Sequence, residues 1–163
     1  MIQPFQKKMI ASMPKAENHI HIEGSIPLYL ALELAEKNHV KLPCDTAQGL
    51  RQWIKDTKGT YGLNGFMYCN RKINSVCIHE EDYEAVVMEL AKQAKVQNII
   101  YQELFLDYPL NEERGIPIEV VMDGYITAKK RAIDELGVEL VYIAGLDRTL
   151  PSEQCVNFVK KLE

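Results

Sequence analysis

The chain has 163 residues, the size of a single domain, with 19 basic and 23 acidic side chains and a formal net charge of −4. This acidic balance argues against a nucleic-acid-binding surface, which normally needs a basic face. The four cysteines form no CxxC pair and no apolar run is long enough to span a membrane. We therefore expect reduced thiols, no nucleic-acid or membrane partner, and a cytoplasmic location.

The first third of the chain contains one predicted strand and several predicted helices. After a mixed polar leader over residues 1–12, alternating residues predict a strand over 16–22. Pro27 and apolar residues at helical spacing predict a helix over 28–37. Residues 44–78 have a weaker pattern. It indicates helices over 46–56 and 66–77, separated by a loop over 58–65 that contains three glycines.

The rest of the chain alternates helices with apolar strands. In order, the pattern predicts a helix over 80–95, a strand over 98–106, a helix over 116–136 closed by Gly137, a strand over 138–144 and a last helix from Ser152. Strands alternating with long helices imply parallel pairing through right-handed crossovers.

This order predicts an α/β fold with a parallel sheet covered by helices. Three parallel strands alone leave two long unpaired edges, which proteins normally cover or close. A closed (β/α)8 barrel, or TIM barrel, takes about 250 residues. We therefore expect residues 1–163 to be an incomplete barrel domain, with about three βα units plus extra helices.

His19 and His21 are the sharpest candidates for a functional site. Side chains at positions i and i+2 of a strand point to the same face, so both imidazoles should project together. Two converging nitrogen ligands begin a zinc site, and barrel enzymes place their chemistry at the C-terminal ends of strands. The alternative is that both histidines are hydrogen-bonded to backbone. The glycine turn at Gly24 and the nearby Glu23 favour the metal interpretation.

Other polar residues also stand at predicted strand ends, each as weaker evidence. Glu23 could orient a histidine, accept a hydrogen bond from a substrate, or interact with a helix N-terminus. Asp107, Asp147 and Arg148 follow the second and third strands, whereas Glu103 within the second strand favours a structural role. The two other histidines stand at helix ends, so neither is well placed to complete the metal site: His39 and His79.

The segment MPKAENHIHIEGS, residues 13–25, resembles the opening motif of the adenosine deaminase family, P-K-x-E-L-H-x-H-L-[DE]-G-[AS]. Asn18 departs from the usual leucine and Ile22 is a mild variant. The run Tyr101-Gln102-Glu103-Leu104-Phe105 resembles the family's Y-x-E-x-R strand, with Phe105 at the arginine position. The pair Asp147-Arg148 is similar to a family arginine after the third strand.

The resemblance implies a zinc-dependent purine aminohydrolase on a TIM barrel. It implies that His19 and His21 are two zinc ligands and that Glu23 contacts the substrate. The remaining ligands, a histidine and an aspartate, and the catalytic glutamate and histidine would come from later strands, so no catalytic acid or base is assigned here. Hydrolysis would release ammonia from C6 of the purine, with adenosine to inosine as the leading expectation.

Three alternatives remain open at this stage. Glutamate at position 23 is frequent in relatives acting on free adenine or other aminopurines, whereas many adenosine-specific members have aspartate. The chain could also be a non-catalytic domain that associates with itself or with a partner supplying the missing half. A third possibility is another metal hydrolase, since His-x-His on a first strand also opens the wider amidohydrolase superfamily.

Overall fold

A three-stranded parallel sheet forms the centre of the computed structural model, which describes residues 3–146 and 150–162. The strands are β1 (Lys15–His21), β2 (Ile99–Leu106) and β3 (Glu139–Ala144), and their order across the sheet is β1-β2-β3. Both pairings are parallel, as the alternation of strands and helices predicts. The C-terminal ends of the three strands therefore lie together at the same end of the sheet.

The described residues also form seven α-helices. They are α1 (Pro4–Ser12), α2 (Leu28–Lys37), α3 (Ala47–Asn74), α4 (Glu80–Val96), α5 (Pro109–Glu112), α6 (Ile118–Arg131) and α7 (Ser152–Lys161). A π-helical turn, Ala132–Leu136, extends α6 and ends at Gly137, whose φ of 68° gives the left-handed cap that the sequence predicts.

Two sequence expectations about secondary structure are wrong. The leader contains α1, which the mixed polar pattern does not reveal. The predicted loop over 58–65 is part of α3, and only Gly62 departs from helical geometry, with φ 57° and ψ −130°. This conformation is open to glycine and divides α3 into two helical segments. Gly65 lets them cross closely, because a Cβ there would lie 2.4 Å from the Thr57 carbonyl oxygen.

The hydrophobic core lies on one side of the sheet, beneath α4 and α6. The apolar face of α4 is buried, as its helical spacing predicts, and it packs against α6 and β2. The two helices approach closely at Gly124, where a Cβ would lie 2.4 Å from the Glu80 carbonyl oxygen. Leu104, Leu106 and Leu140 supply the sheet side of this core.

The opposite face of the sheet has no helix among the described residues. Its side chains are only partly buried: Tyr101, Glu103, Phe105, Val141 and Ile143. Within the described part of the chain, β1 and β3 each pair only with β2. In a closed barrel this face would be the interior and both edges would be paired. No described helix is both long enough and apolar enough to cross a membrane.

Candidate metal and substrate site

The end of β1 carries both predicted histidines, but the strand is not regular there. The register with β2 shifts between Glu17 and Ile20, and His19 has a positive φ of 65°. The simple i, i+2 alternation used to predict a common face is therefore wrong at this point. Histidine is one of the non-glycine residues that adopt this left-handed conformation more readily.

The two imidazoles nevertheless lie side by side. Their ring centres are 5.4 Å apart, and the planes are tilted by 52°. Phe105 lies beside both, with its ring centre 4.6 Å from that of His19 and 5.1 Å from that of His21. The phenyl ring occupies the position where the family motif has arginine. It gives the histidine pair an apolar wall in place of a cation.

Asp107 follows the last residue of β2 and contacts His21 directly. Its Oδ2 lies 2.6 Å from His21 Nδ1. The Asp107 side chain is 30% exposed and the His21 side chain is 46% exposed. A carboxylate can only accept a hydrogen bond, so this contact places a proton on Nδ1. The lone pair of His21 then belongs to Nε2. The sequence places Asp107 at the strand end but does not pair it with His21.

Glu23 is one of the least exposed charged residues, at 2%. Its Oε1 accepts hydrogen bonds from Tyr125 Oη at 3.3 Å and from Asn111 Nδ2 at 3.5 Å. No donor among the described residues reaches Oε2. Burial, together with the nearby charge of Asp107, raises the pKa of Glu23 to about 8. The carboxyl group is thus held in place through one oxygen, while the other remains available.

These side chains line a cavity of about 1050 Å³ that extends from the C-terminal ends of the strands along β1 to Glu17 and the last turns of α4. The polar groups around its rim and walls include Glu17, His19, His21, Glu23, Asn70 and Asp107. The second segment of α3 covers one side with Phe66 and Met67. A mixed apolar and polar cavity of this size is typical of a small-molecule site.

The separation of the two imidazole rings is compatible with two ligands of one zinc ion. Zn–N bonds of about 2.0–2.1 Å in tetrahedral coordination place two imidazole centres roughly 5 Å apart, which fits the observed 5.4 Å. Within the described residues, no group of three or more histidine, cysteine, aspartate or glutamate side chains could hold a metal ion. Among the residues that the structure describes, His19 and His21 therefore form at most part of a ligand set.

The remaining sequence candidates have other positions. His39 follows α2 with a positive φ of 55°, and exposed His79 caps the N-terminus of α4; neither is among the described residues lining the cavity. Glu103 accepts a hydrogen bond from Tyr101 Oη at 3.2 Å. Asp147 and Arg148 lie outside the described residues.

Two residues that sequence reasoning missed complete the surroundings of Glu23. Asn111 lies in the short helix α5, and Tyr125 lies in α6. Asn111 Oδ1 also accepts hydrogen bonds from Asn74 Nδ2 and Tyr83 Oη. No motif links these positions, because the contact between Tyr125 and Glu23 joins residues 102 positions apart.

Comparison with known proteins supports the motif. The sequence model of the adenosine deaminase family matches residues 14–163. The chain is 34% identical to the adenine deaminase of Zymomonas mobilis over 159 residues, covering 96% of this chain and 45% of that protein. It is 36% identical to the adenine deaminase of Geotalea uraniireducens over 145 residues, covering 89% and 40%. The chain thus spans less than half the length of these relatives.

Solved structures give the same result for the fold. An adenine deaminase from Arthrobacter aurescens superposes with a TM-score of 0.84 and 25% identity, covering 91% of this chain and 44% of that one. A zinc-bound amidohydrolase from Burkholderia ambifaria has a TM-score of 0.79 at 18% identity, covering 98% and 43%, and shows the fold alone. The predicted α/β fold, with the first units of a TIM barrel, is confirmed. By its opening motif, its fold and the match over residues 14–163, the chain belongs to the adenosine deaminase family.

Proposed function

We propose that residues 1–163 supply the first three strands, two zinc ligands and one substrate contact of a hydrolytic aminopurine deaminase. Free adenine is the proposed substrate. The sequence alone favoured adenosine and kept adenine as the alternative. The relatives named adenine deaminase favour that alternative. The agreement among these names supports deamination of an aminopurine more strongly than it supports the choice of one particular purine as substrate.

The observation that carries this proposal is the histidine pair beside a buried carboxyl group in one cavity. His19 and His21 have the spacing of two imidazole zinc ligands, and Glu23 lines the same cavity. Bound zinc supplies a water-derived nucleophile near neutral pH. The protein's own residues position the purine and keep the two imidazoles together.

Glu23 is proposed to hold the purine. Tyr125 and Asn111 fix its Oε1, and no described donor reaches Oε2. A buried polar atom without a partner is costly, so a ligand group that hydrogen-bonds with Oε2 is stabilised relative to water, as donor to a carboxylate or as acceptor from the protonated acid. Free adenine carries both N–H donors and unprotonated ring nitrogens that could make this bond. Because Glu23 is rigidly held, it restricts the orientation of the base.

We propose that the rest of the site comes from further strands of the barrel. Both sheet edges lack partners among the described residues, and the inner face is partly exposed. Relatives of about twice this length support the remaining βα units, rather than a second copy of this chain, as the covering structure. We propose that these units supply the other metal ligands and the catalytic acid. A cytoplasmic location is part of the same proposal.

The test is ammonia release by the full product of the reading frame that contains codons 1–163. We expect zinc-dependent turnover of adenine in preference to adenosine, and loss of turnover in His19→Ala and His21→Ala. His39→Asn is the matched control, because asparagine tolerates its left-handed backbone. Retained activity in both alanine variants would contradict the assigned ligands, and a preference for adenosine would contradict the assigned substrate.

The 163-residue chain alone gives a second test. We expect at most weak zinc binding and no deamination, because two histidines do not complete a catalytic zinc site. Stoichiometric zinc together with measurable deamination by this chain would show that the site is complete without further strands, contrary to the proposal.

A further inference from the structure

We propose that Asp107 is a positioning residue that holds His21 with Nε2 available to a metal in the cavity. The idea that this metal is zinc rests on the function proposed above. The contact itself does not, because it is made by residues of this chain. Asp107 would then act on the metal only through His21.

The first support is the short contact between the two side chains. His21 Nδ1 and Asp107 Oδ2 are 2.6 Å apart, although the residues are separated by 86 positions. Parallel pairing of β1 with β2 places His21 opposite Phe105, two residues before Asp107. Metal-binding histidines commonly donate their second ring N–H to a carboxylate, which fixes the tautomer and the ring orientation.

The second support is the space that β3 leaves for the carboxylate. Gly145 follows β3, and a Cβ there would lie 2.7 Å from Asp107 Oδ1. The Gly145 amide donates to the Leu106 carbonyl oxygen at 3.0 Å, so the chain cannot simply move away. A Cβ at position 145 would also lie 2.9 Å from the Leu106 carbonyl oxygen, so any larger side chain there would displace Asp107 or shift the end of β2. The ends of all three strands therefore contribute to the placement of one carboxylate.

The third support is that His21 is restrained on its face as well. Phe105 stacks on it with an angle of 22° between the rings and 5.1 Å between their centres. Stacking limits tilting of the imidazole, and the hydrogen bond limits rotation within its plane. Together, the two contacts define the direction of Nε2.

NMR of ¹⁵N-labelled histidine side chains tests the contact in the 163-residue chain without metal. Spectra are recorded at about pH 8.5, roughly two units above the ordinary pKa of free histidine, to assign the tautomer of each ring. We expect mainly Nδ1–H for His21. We expect Asp107→Leu, which keeps a similar shape and removes the acceptor, to shift His21 to the Nε2–H form that free imidazole side chains prefer.

Two further variants separate this effect from changes in charge or folding. Gly145→Ala keeps every carboxylate and should shift the same tautomer by displacing Asp107. Asp123→Leu removes an exposed carboxylate from α6 and should leave His21 unchanged. If His21 in the original chain were mainly the Nε2–H tautomer, the proposal would be overturned. An unchanged His21 in folded Asp107→Leu would do the same.

Metal affinity distinguishes this inference from the proposed function. In the full product of the reading frame, Asp107→Leu should weaken zinc binding about 10- to 100-fold, as loss of such a partner typically does. If the tautomer shifts and zinc binding weakens but no purine is deaminated, the positioning role stands and the function fails. If the variant binds zinc as tightly as the original protein, Asp107 does not position a zinc ligand.

Discussion

Replacing Asp82 should destabilise the fold more than replacing its neighbour Glu81, although both contact Lys37. Asp82 is fully buried near the start of α4. Its carboxylate accepts hydrogen bonds from Lys37 Nζ at 2.6 Å, from Asn38 Nδ2 at 2.7 Å, and from the backbone amides of Ile78 and His79, each at 2.9 Å. One side chain thus joins the end of α2 to the start of α4.

The magnitude follows from the donors that Asp82→Ala would leave without an acceptor. Two backbone amides and one side-chain amide, all in partly buried contacts, should cost about 1 kcal/mol each. The ion pair adds less than about 1 kcal/mol, because Lys37 is 42% exposed and water can replace its partner. We expect a total loss of about 3–4 kcal/mol in the free energy of unfolding.

Urea denaturation followed by circular dichroism measures this loss. Glu81→Ala is the matched control: its side chain is 62% exposed, and we expect a change below about 0.5 kcal/mol. If the two variants differed by less than about 1 kcal/mol, the reasoning would be refuted, because burial and the shared acceptor role would then have no measurable effect.

The same carboxylate predicts a pH dependence. Burial alone would raise the pKa of Asp82, but the amide of His79 and the ammonium of Lys37 lower it below its ordinary value. A lowered folded pKa gives stabilisation that is present above the unfolded pKa of about 4 and is lost as the pH falls through the folded value. The difference between Asp82→Ala and the original chain should therefore shrink below about pH 4 and remain constant from about pH 5 to 7.

Further substitutions test the packing and the site. Gly124→Ala should destabilise by about 1–3 kcal/mol in urea denaturation, because its Cβ would meet α4, whereas Gly59→Ala, which has open space in α3, should stabilise by about 0.5–1 kcal/mol. Equal effects would contradict the close helix crossing. Glu23→Gln should keep the free energy of unfolding within about 1 kcal/mol, because the amide retains Oε1. It should lower adenine turnover by the full reading-frame product about 10- to 100-fold, because the amide group can only donate at the Oε2 position and cannot release a proton to accept a hydrogen bond there. Unchanged turnover would exclude the proposed substrate contact.

Helix and strand positions could be predicted where one local pattern dominates. The bounds of α2 match the prediction because apolar residues repeat at helical spacing between Pro27 and Asn38. The helical continuation of α3 through residues 58–65 could not be predicted, because three glycines normally indicate a loop. There, Gly65 serves close packing against Thr57 and Gly62 provides the kink. Tertiary contacts give these glycines a role that the local sequence does not show.

Some residues of the candidate site could likewise be predicted from the sequence, whereas the contacts between them could not. The candidate residues His19, His21 and Glu23 are close in sequence, so the motif identifies them together, and their chemical roles remain predictions. The contact of Asp107 with His21 depends on strand register, and the contact of Tyr125 with Glu23 depends on the packing of α6. Neither contact can be recognised from a local sequence pattern. The irregular backbone at His19 likewise becomes visible only in the paired strands.

Zinc titration of the 163-residue chain, followed through its four histidine side chains, tests most directly whether this chain carries two zinc ligands of a purine hydrolase. His39 and His79 are internal controls in the same spectrum, since both are exposed and stand at helix ends. We expect the His19 and His21 signals to shift or broaden together at the lowest zinc concentrations while the signals of the two controls remain unchanged. If zinc affected His39 or His79 first, or left His19 and His21 unchanged, it would contradict the assignment.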